Sequence, residues 1–316
     1  MRRPSIRTTY ILVVILSAFL VALESVAIEG AIHMANLSSF IVSSVPMMVG
    51  GLILVGLSTR GTYDFVRVMD RSAWVYLSVL CVFVAGGVLL WFDSVGRIGA
   101  GKEALLGGSS SEVLFVVILS AVFLSERLNR WEVVGSILIM IGVLIVLFNR
   151  ESMSLTLGFG EIEAIFSSLL LGISVVMTTV MLRTYRVTPL SAVELILTGV
   201  FLIGIGVALG FITWPGTDGL VVLLILGIFP AMGLLTYNAG LPKIGASLTS
   251  VLFATTGIMT VGVQMLVLGL FPGADIRLPE NLALAILGGV VAFIGVYLLN
   301  SRGTRGSASL SAEEKR

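Results

Sequence analysis

Glu112 is the residue of this sequence whose surroundings and type point most directly to chemistry. It stands near the middle of a long apolar stretch and directly follows Gly107-Gly108-Ser109-Ser110-Ser111, a small polar patch that hydrocarbon would not favour. Glu24 and Glu29 interrupt a second such stretch, and Lys102 with Glu103 opens the one that holds Glu112. A carboxylate so placed has two uses: it can carry a proton through a cycle, or it can stand as a fixed counter-charge. Glu24 and Glu112 fit either use, the counter-charge serving a cationic or amino group of a substrate, or Lys102. Other chemistry is poorly supplied with parts. His33 is the only histidine and Cys81 the only cysteine, so there is neither a multi-histidine metal site, nor a cysteine cluster, nor an internal disulfide. A nucleophile–base pair is hard to assemble from this set, and no GxxxxGK[ST] loop occurs. The reading is therefore a chain that is not an enzyme and takes no cofactor.

The elements that must position these residues follow from composition. Of 316 residues 57% are hydrophobic and 12% charged, with mean hydropathy +1.09. Soluble domains carry about 25% charged residues, so the chain belongs in lipid. A net charge of +1 gives no reason to expect nucleic acid. A crossing helix needs roughly 20 apolar residues, and ten runs qualify: 9–31, 38–58, 73–94, 100–124, 131–149, 158–182, 188–211, 219–240, 244–270 and 280–299. With residues 1–8 placed in the cytoplasm, 15 of the 19 basic residues fall on the inner side; Arg97, Lys102, Arg150 and Arg277 lie outside. Both termini are thus expected in the cytoplasm, the chain being multi-pass in the cell membrane, with 301–316 a disordered tail. A cleaved signal peptide is the rival reading of the first run, but that run has a partner later in the chain.

That partner belongs to an internal repeat. Arg97-Ile98-Gly99-Ala100 aligns with Lys243-Ile244-Gly245-Ala246, and on the same register Phe83, Ala85 and Gly87 meet Phe229, Ala231 and Gly233. After an insertion, Gly135 and Ile141-Gly142-Val143 meet Gly288 and Ile294-Gly295-Val296; more weakly, Ser17 pairs with Ser167 and Glu24 with Ser174. Five helices per copy means that the second copy enters from the opposite face. The expected fold is all-α, ten transmembrane helices as two inverted five-helix repeats over 9–149 and 158–300. Inverted repeats are a recurrent plan of secondary transporters, with the site near the midplane between them; a duplicated scaffold that moves nothing is the bland alternative.

The chain resembles the drug/metabolite transporter superfamily, specifically the EamA-type ten-helix permeases. The likeness is strongest from Ala104 to Leu147, where Phe123-Leu124-Ser125-Glu126-Arg127-Leu128 closes one helix and Trp131, Gly135 and Ile141-Gly142-Val143 mark the next. The second copy lacks the Glu-Arg pair and carries Pro272-Gly273 instead, and Glu112-Val113 stands where the family often has proline. The resemblance implies alternating-access movement, often outward, of small organic solutes such as amino acids or other metabolites, with the proton a candidate coupling partner. The alternative is a channel or a non-transporting structural membrane protein.

Further site candidates come from the repeat register. Ser109-Ser110 aligns with Thr255-Thr256, which puts two hydroxyl pairs at matching depths beside Glu112 and Glu24, as walls of a central cavity or as helix-packing contacts. Trp91 and Tyr237 occupy equivalent ends of their helices, where an interfacial belt or substrate stacking would explain them. Lys102, Glu103, Asp93 and Glu29 fall near one depth and could form a gate of ion pairs or a solvated rim. Gln264 and Asn238 are lesser polar candidates. Glu161, Glu163 and Glu194 lie near expected helix ends and read as snorkelling side chains; Glu126 with Arg127 reads as structural. The sequon Asn36-Leu37-Ser38 sits too close to the membrane to weigh.

Overall fold

The computed structural model describes residues 6–35, 37–123, 130–149, 154–155 and 157–300. It is all-helical apart from a two-residue antiparallel pair, Phe148–Asn149 with Ser154–Leu155. The first half holds α1 (Ile6–Ala35), α2 (Ser39–Leu57), α3 (Thr59–Val68), α4 (Arg71–Ile98), α5 (Ala100–Leu106), a π-turn over Gly107–Ser111, α6 (Glu112–Phe123) and α7 (Arg130–Leu147). The second holds α8 (Phe159–Met181), α9 (Val187–Leu209), α10 (Thr217–Leu226), α11 (Ile228–Ile244), α12 (Ala246–Phe253), α13 (Thr256–Leu270) and α14 (Leu282–Asn300).

Among the described residues, seven stretches are long and apolar enough to cross a membrane, including Thr8–His33, Arg71–Ile98 and Thr217–Ile244. Two shorter apolar helices, Val133–Leu147 and Leu282–Leu298, stand beside them. The bundle is inverted relative to a soluble protein. Leu12, Leu52, Leu57 and Val122 are each at least 60% exposed, whereas Ser17, Ser43, Ser44 and Thr198 are fully buried. Apolar surface on that scale would be an association hazard in water and is ordinary in lipid.

Without a hydrophobic drive between helices, the packing uses small residues and hydroxyls. Ser17 of α1 donates to the Gly233 carbonyl of α11 at 2.7 Å, and Ser167 of α8 donates to the Gly87 carbonyl of α4 at 2.7 Å. Asn238 donates to Ser191 at 2.9 Å, joining α11 to α9. Helices α7 and α14 meet backbone to backbone: a Cβ added to Gly142 would lie 2.6 Å from the Gly288 carbonyl oxygen.

Two turns depend on glycine. Gly99 ends α4 at φ 83°, ψ 150°, and Gly245 ends α11 at φ 86°, ψ 155°. Side chains other than hydrogen are strained there, and each glycine turns the chain directly into a short helix that runs on into the middle of the bundle.

The structure differs from the sequence expectation in four places, the first being the run 219–240, which a turn at Gly227 divides into α10 and α11. The stretch around Arg60–Arg71, read as a connection, contains α3, whose Phe65 is buried edge-on against Tyr185 at 5.1 Å. Its apolar residues lie on one side of a charged helix, and charge density had marked it as loop. The run 100–124 is interrupted by the π-turn, and the run 244–270 by a break at Ala254–Thr255. Residue Asn36, the Glu126–Arg127 pair and 301–316 lie outside the described residues.

Candidate functional site

The site is built where three helices lose their regularity. In the π-turn the hydroxyls of Ser110 and Ser111 donate to the Leu105 and Leu106 carbonyls at 2.7 and 2.6 Å, each five residues back. Such π-bulges widen the helix by one residue and occur often at functional positions. Here the widened turn hands over to Glu112, which is 7% exposed. Across the bundle, the break between α12 and α13 is stabilised by Thr255 and Thr256, which donate to the Leu252 and Phe253 carbonyls at 2.7 and 2.6 Å. Helix α11 follows α10 after a turn at Gly227 and carries Pro230 one helical turn before Gly233.

Between these irregular segments lies a cavity of about 150 Å³. It is lined by Glu24 of α1, Trp91 of α4, Glu112 of α6, Ser168 of α8, Glu194 of α9 and Tyr237 of α11, so both halves contribute. Glu103 enters at one end, where its Oε2 accepts the Trp91 indole N–H at 2.7 Å. At the other end Tyr237 packs edge-on against Phe253, centroids 4.9 Å apart, and its hydroxyl lies 3.4 Å from that of Ser250. Among the described residues, no Lys, Arg or His lines the cavity. Glu24 Oε1 and Glu194 Oε2 are buried with no hydrogen-bond partner.

The residues singled out from the sequence divide as follows. Glu112, Glu24, Trp91, Tyr237 and Thr256 line the cavity. Ser110 and Thr255 spend their hydroxyls on their own helices and are not part of the lining. Ser109 lies in the π-turn, its side chain outside the described ones. The four residues grouped as a gate go separate ways. Glu103 faces the cavity. Lys102 pairs with Glu161 at 2.5 Å, joining α5 to α8. Asp93 accepts from Ser39 at 2.6 Å and from Arg97 at 2.7 Å, and Arg97 also reaches Glu163 at 3.0 Å. Glu29 is fully buried and accepts three N–H groups: from Gln264 at 2.8 Å and from the backbones of Ala100 at 3.0 Å and Arg277 at 2.6 Å. These pairs all lie at the end of the bundle that holds Gly99.

Sequence reasoning passed over Glu194. Its place near an expected helix end reads as snorkelling, yet it sits seven residues into α9 and is 2% exposed. A sequence signal exists: the apolar run 188–211 already holds Glu194 nearly two turns from its start. Ser174 and Ser167 also reach the lining, the residues that the repeat register pairs with Glu24 and Ser17.

A helical membrane protein with buried carboxylates around a largely apolar cavity is the class that this fold and site define. Residues 8–148 match the family model of the EamA-like transporter family. Among curated proteins there is no match. A solved crystal structure of a protein superposes with a TM-score of 0.63 at 17% identity, over 96% of this chain and 99% of that one, a likeness of fold alone.

Proposed function

We propose that the chain is a secondary carrier that moves small organic solutes, outward in the cell, by alternating access around the cavity at Glu112. On this reading ten helices cross the membrane as two inverted five-helix repeats, 9–149 and 158–300, with both termini cytoplasmic. The observation that carries it is the cavity itself: it is lined by both halves, and it holds carboxylates that lipid would not tolerate, with no Lys, Arg or His among the described residues of its wall. A pocket between halves is where an inverted-repeat carrier keeps its substrate.

The repeat has local support. Gly99 and Gly245, paired by the sequence register, share one uncommon backbone conformation. The bond from Ser17 to Gly233 has its counterpart in the bond from Ser167 to Gly87, with each partner the repeat mate of the other. The π-turn at Gly107–Ser111 and the break at Ala254–Thr255 interrupt equivalent helices. In this frame the pairs around Glu29, Asp93 and Lys102 close the outer end, and a cycle opens them while the inner end shuts.

The reading is tested at Glu112. Glu112→Gln keeps the shape of the side chain and removes its charge. It is expected to change the apparent KM for a transported solute, or the pH dependence of its flux. Unaltered values of both would remove Glu112 from the site.

A further inference from the structure

We propose that the cavity takes a small organic cation: an apolar body carrying positive charge on a quaternary or protonated nitrogen. This rests on the carrier reading and names what the same site holds.

Glu24, Glu103, Glu112 and Glu194 all reach the cavity, and among the described residues no basic side chain lines it. Elsewhere in the bundle the deep carboxylates are matched by the protein: Glu29 by three N–H groups, Glu161 by Lys102, Glu163 by Arg97. At the cavity Glu103 still has the Trp91 indole N–H, but that provision does not extend to Glu24 and Glu194. Glu24 and Glu194, 3% and 2% exposed, each leave a carboxylate oxygen without a donor. An unmatched buried acceptor is costly; a protonated nitrogen supplies the missing donor, and a quaternary one supplies the opposing charge. A ligand carboxylate would find no cation to meet it and would face four groups of its own sign or kind, which weighs against anions and zwitterions.

The rest of the wall sets the body of the ligand. Trp91, Tyr237 and Phe253 offer ring faces and edges, and Val84, Val88 and Leu171 supply aliphatic surface. Aromatic faces attract ammonium groups, quaternary ones included. A volume of about 150 Å³ is on the scale that accommodates one benzene-sized body. A bare metal ion fits less well, because no group of three or more His, Cys, Asp or Glu converges among the described residues as metal ligands would.

The test uses the full chain and four probes that share one ring and differ in charge: trimethylphenylammonium, phenylalanine, 3-phenylpropionate and 2-phenylethanol. Thermal stabilisation in detergent and counterflow in proteoliposomes are both read. Trimethylphenylammonium is expected to raise Tm and show saturable counterflow, with the other three at least tenfold weaker. Glu24→Gln and Glu194→Gln are each expected to raise its Kd tenfold or more. Equal or tighter binding of phenylalanine, 3-phenylpropionate or 2-phenylethanol overturns the assignment, as does no response to the cation. If one of those other solutes shows saturable counterflow while the cation does not, the cation assignment falls and the carrier reading stands. Absence of counterflow with these probes and with a panel of amino acids, nucleosides and sugars removes both. The comparison of probes on the unmodified chain decides the matter even if a variant fails to fold.

Discussion

Ser17 donates its hydroxyl hydrogen to the Gly233 carbonyl at 2.7 Å across 216 residues, binding the first helix to α11 in the other half of the chain. Its counterpart from Ser167 to Gly87 binds α8 to α4 at the same length. Each half thus lends its leading helix to the other. The cavity lies along these two seams, and Ser17, Ser167 and Gly233 are all part of its wall. Where two halves hold each other by a pair of equivalent contacts, rocking one against the other changes both contacts together.

Ser17→Ala and Ser167→Ala should therefore lower stability by similar amounts. Interhelical bonds within membranes contribute about 0.6 kcal/mol on average and about 2 at most. Thermal unfolding of the purified chain in one detergent checks this, and a large loss for one variant with none for the other would break the equivalence.

Glu29→Gln should cost more. The carboxylate accepts from Ala100, Gln264 and Arg277, and an amide replaces one acceptor oxygen by a donor that faces an N–H. Losing a hydrogen bond to a charged group and leaving a buried donor unmatched predicts a loss of about 1–3 kcal/mol. Amide exchange at Ala100 and Arg277 should rise in the variant, while exchange near Glu194 stays unchanged.

Asp70 gives a pH-dependent term outside the spans. Hydrogen bonds from Ser72 and then from the Ala73 backbone hold its carboxyl below the usual Asp range at the start of α4. A depressed value in the folded state means that its stabilisation is present at neutral pH and lost as pH falls through the folded value. Asp70→Ala should lower Tm at pH 7, and the gap from the unmodified chain should narrow below about pH 4. A gap that widens in acid would contradict the cap.

Single cysteines at Arg67 and Thr217, both exposed, should react with an impermeant thiol reagent from opposite faces of intact cells or sealed vesicles. The native Cys81 is fully buried and gives little background. Labelling of both from one face would overturn the ten-helix topology.

Much of this fold was legible in the sequence, because lipid demands apolar length and punishes stray charge. The run 188–211 corresponds to Val187–Leu209 and the run 38–58 to Ser39–Leu57, each within two residues. Helix α3 was hidden because an interfacial helix needs only one apolar face, and its Arg60, Asp64 and Arg67 look like a loop. Glu112 and Glu24 stood out as charges deep within apolar runs. Glu194 did not, because a carboxylate six residues into the run 188–211 is within snorkelling reach of the helix end, and only the packing shows that it lines the cavity. The partners of Lys102 and Glu29 were illegible for another reason. Lys102 meets Glu161 and Glu29 meets Gln264 only after helices far apart in the chain have packed.

The central claim is a carrier that exposes one cavity to each face in turn, and counterflow in proteoliposomes tests it most directly. Vesicles loaded with an unlabelled solute are supplied outside with the same solute in labelled form, across amino acids, nucleosides, sugars and organic cations. For at least one class the account predicts labelled uptake that saturates with concentration and is accelerated by the internal load. Flux that rises linearly without saturation, or no flux for any class, would contradict it.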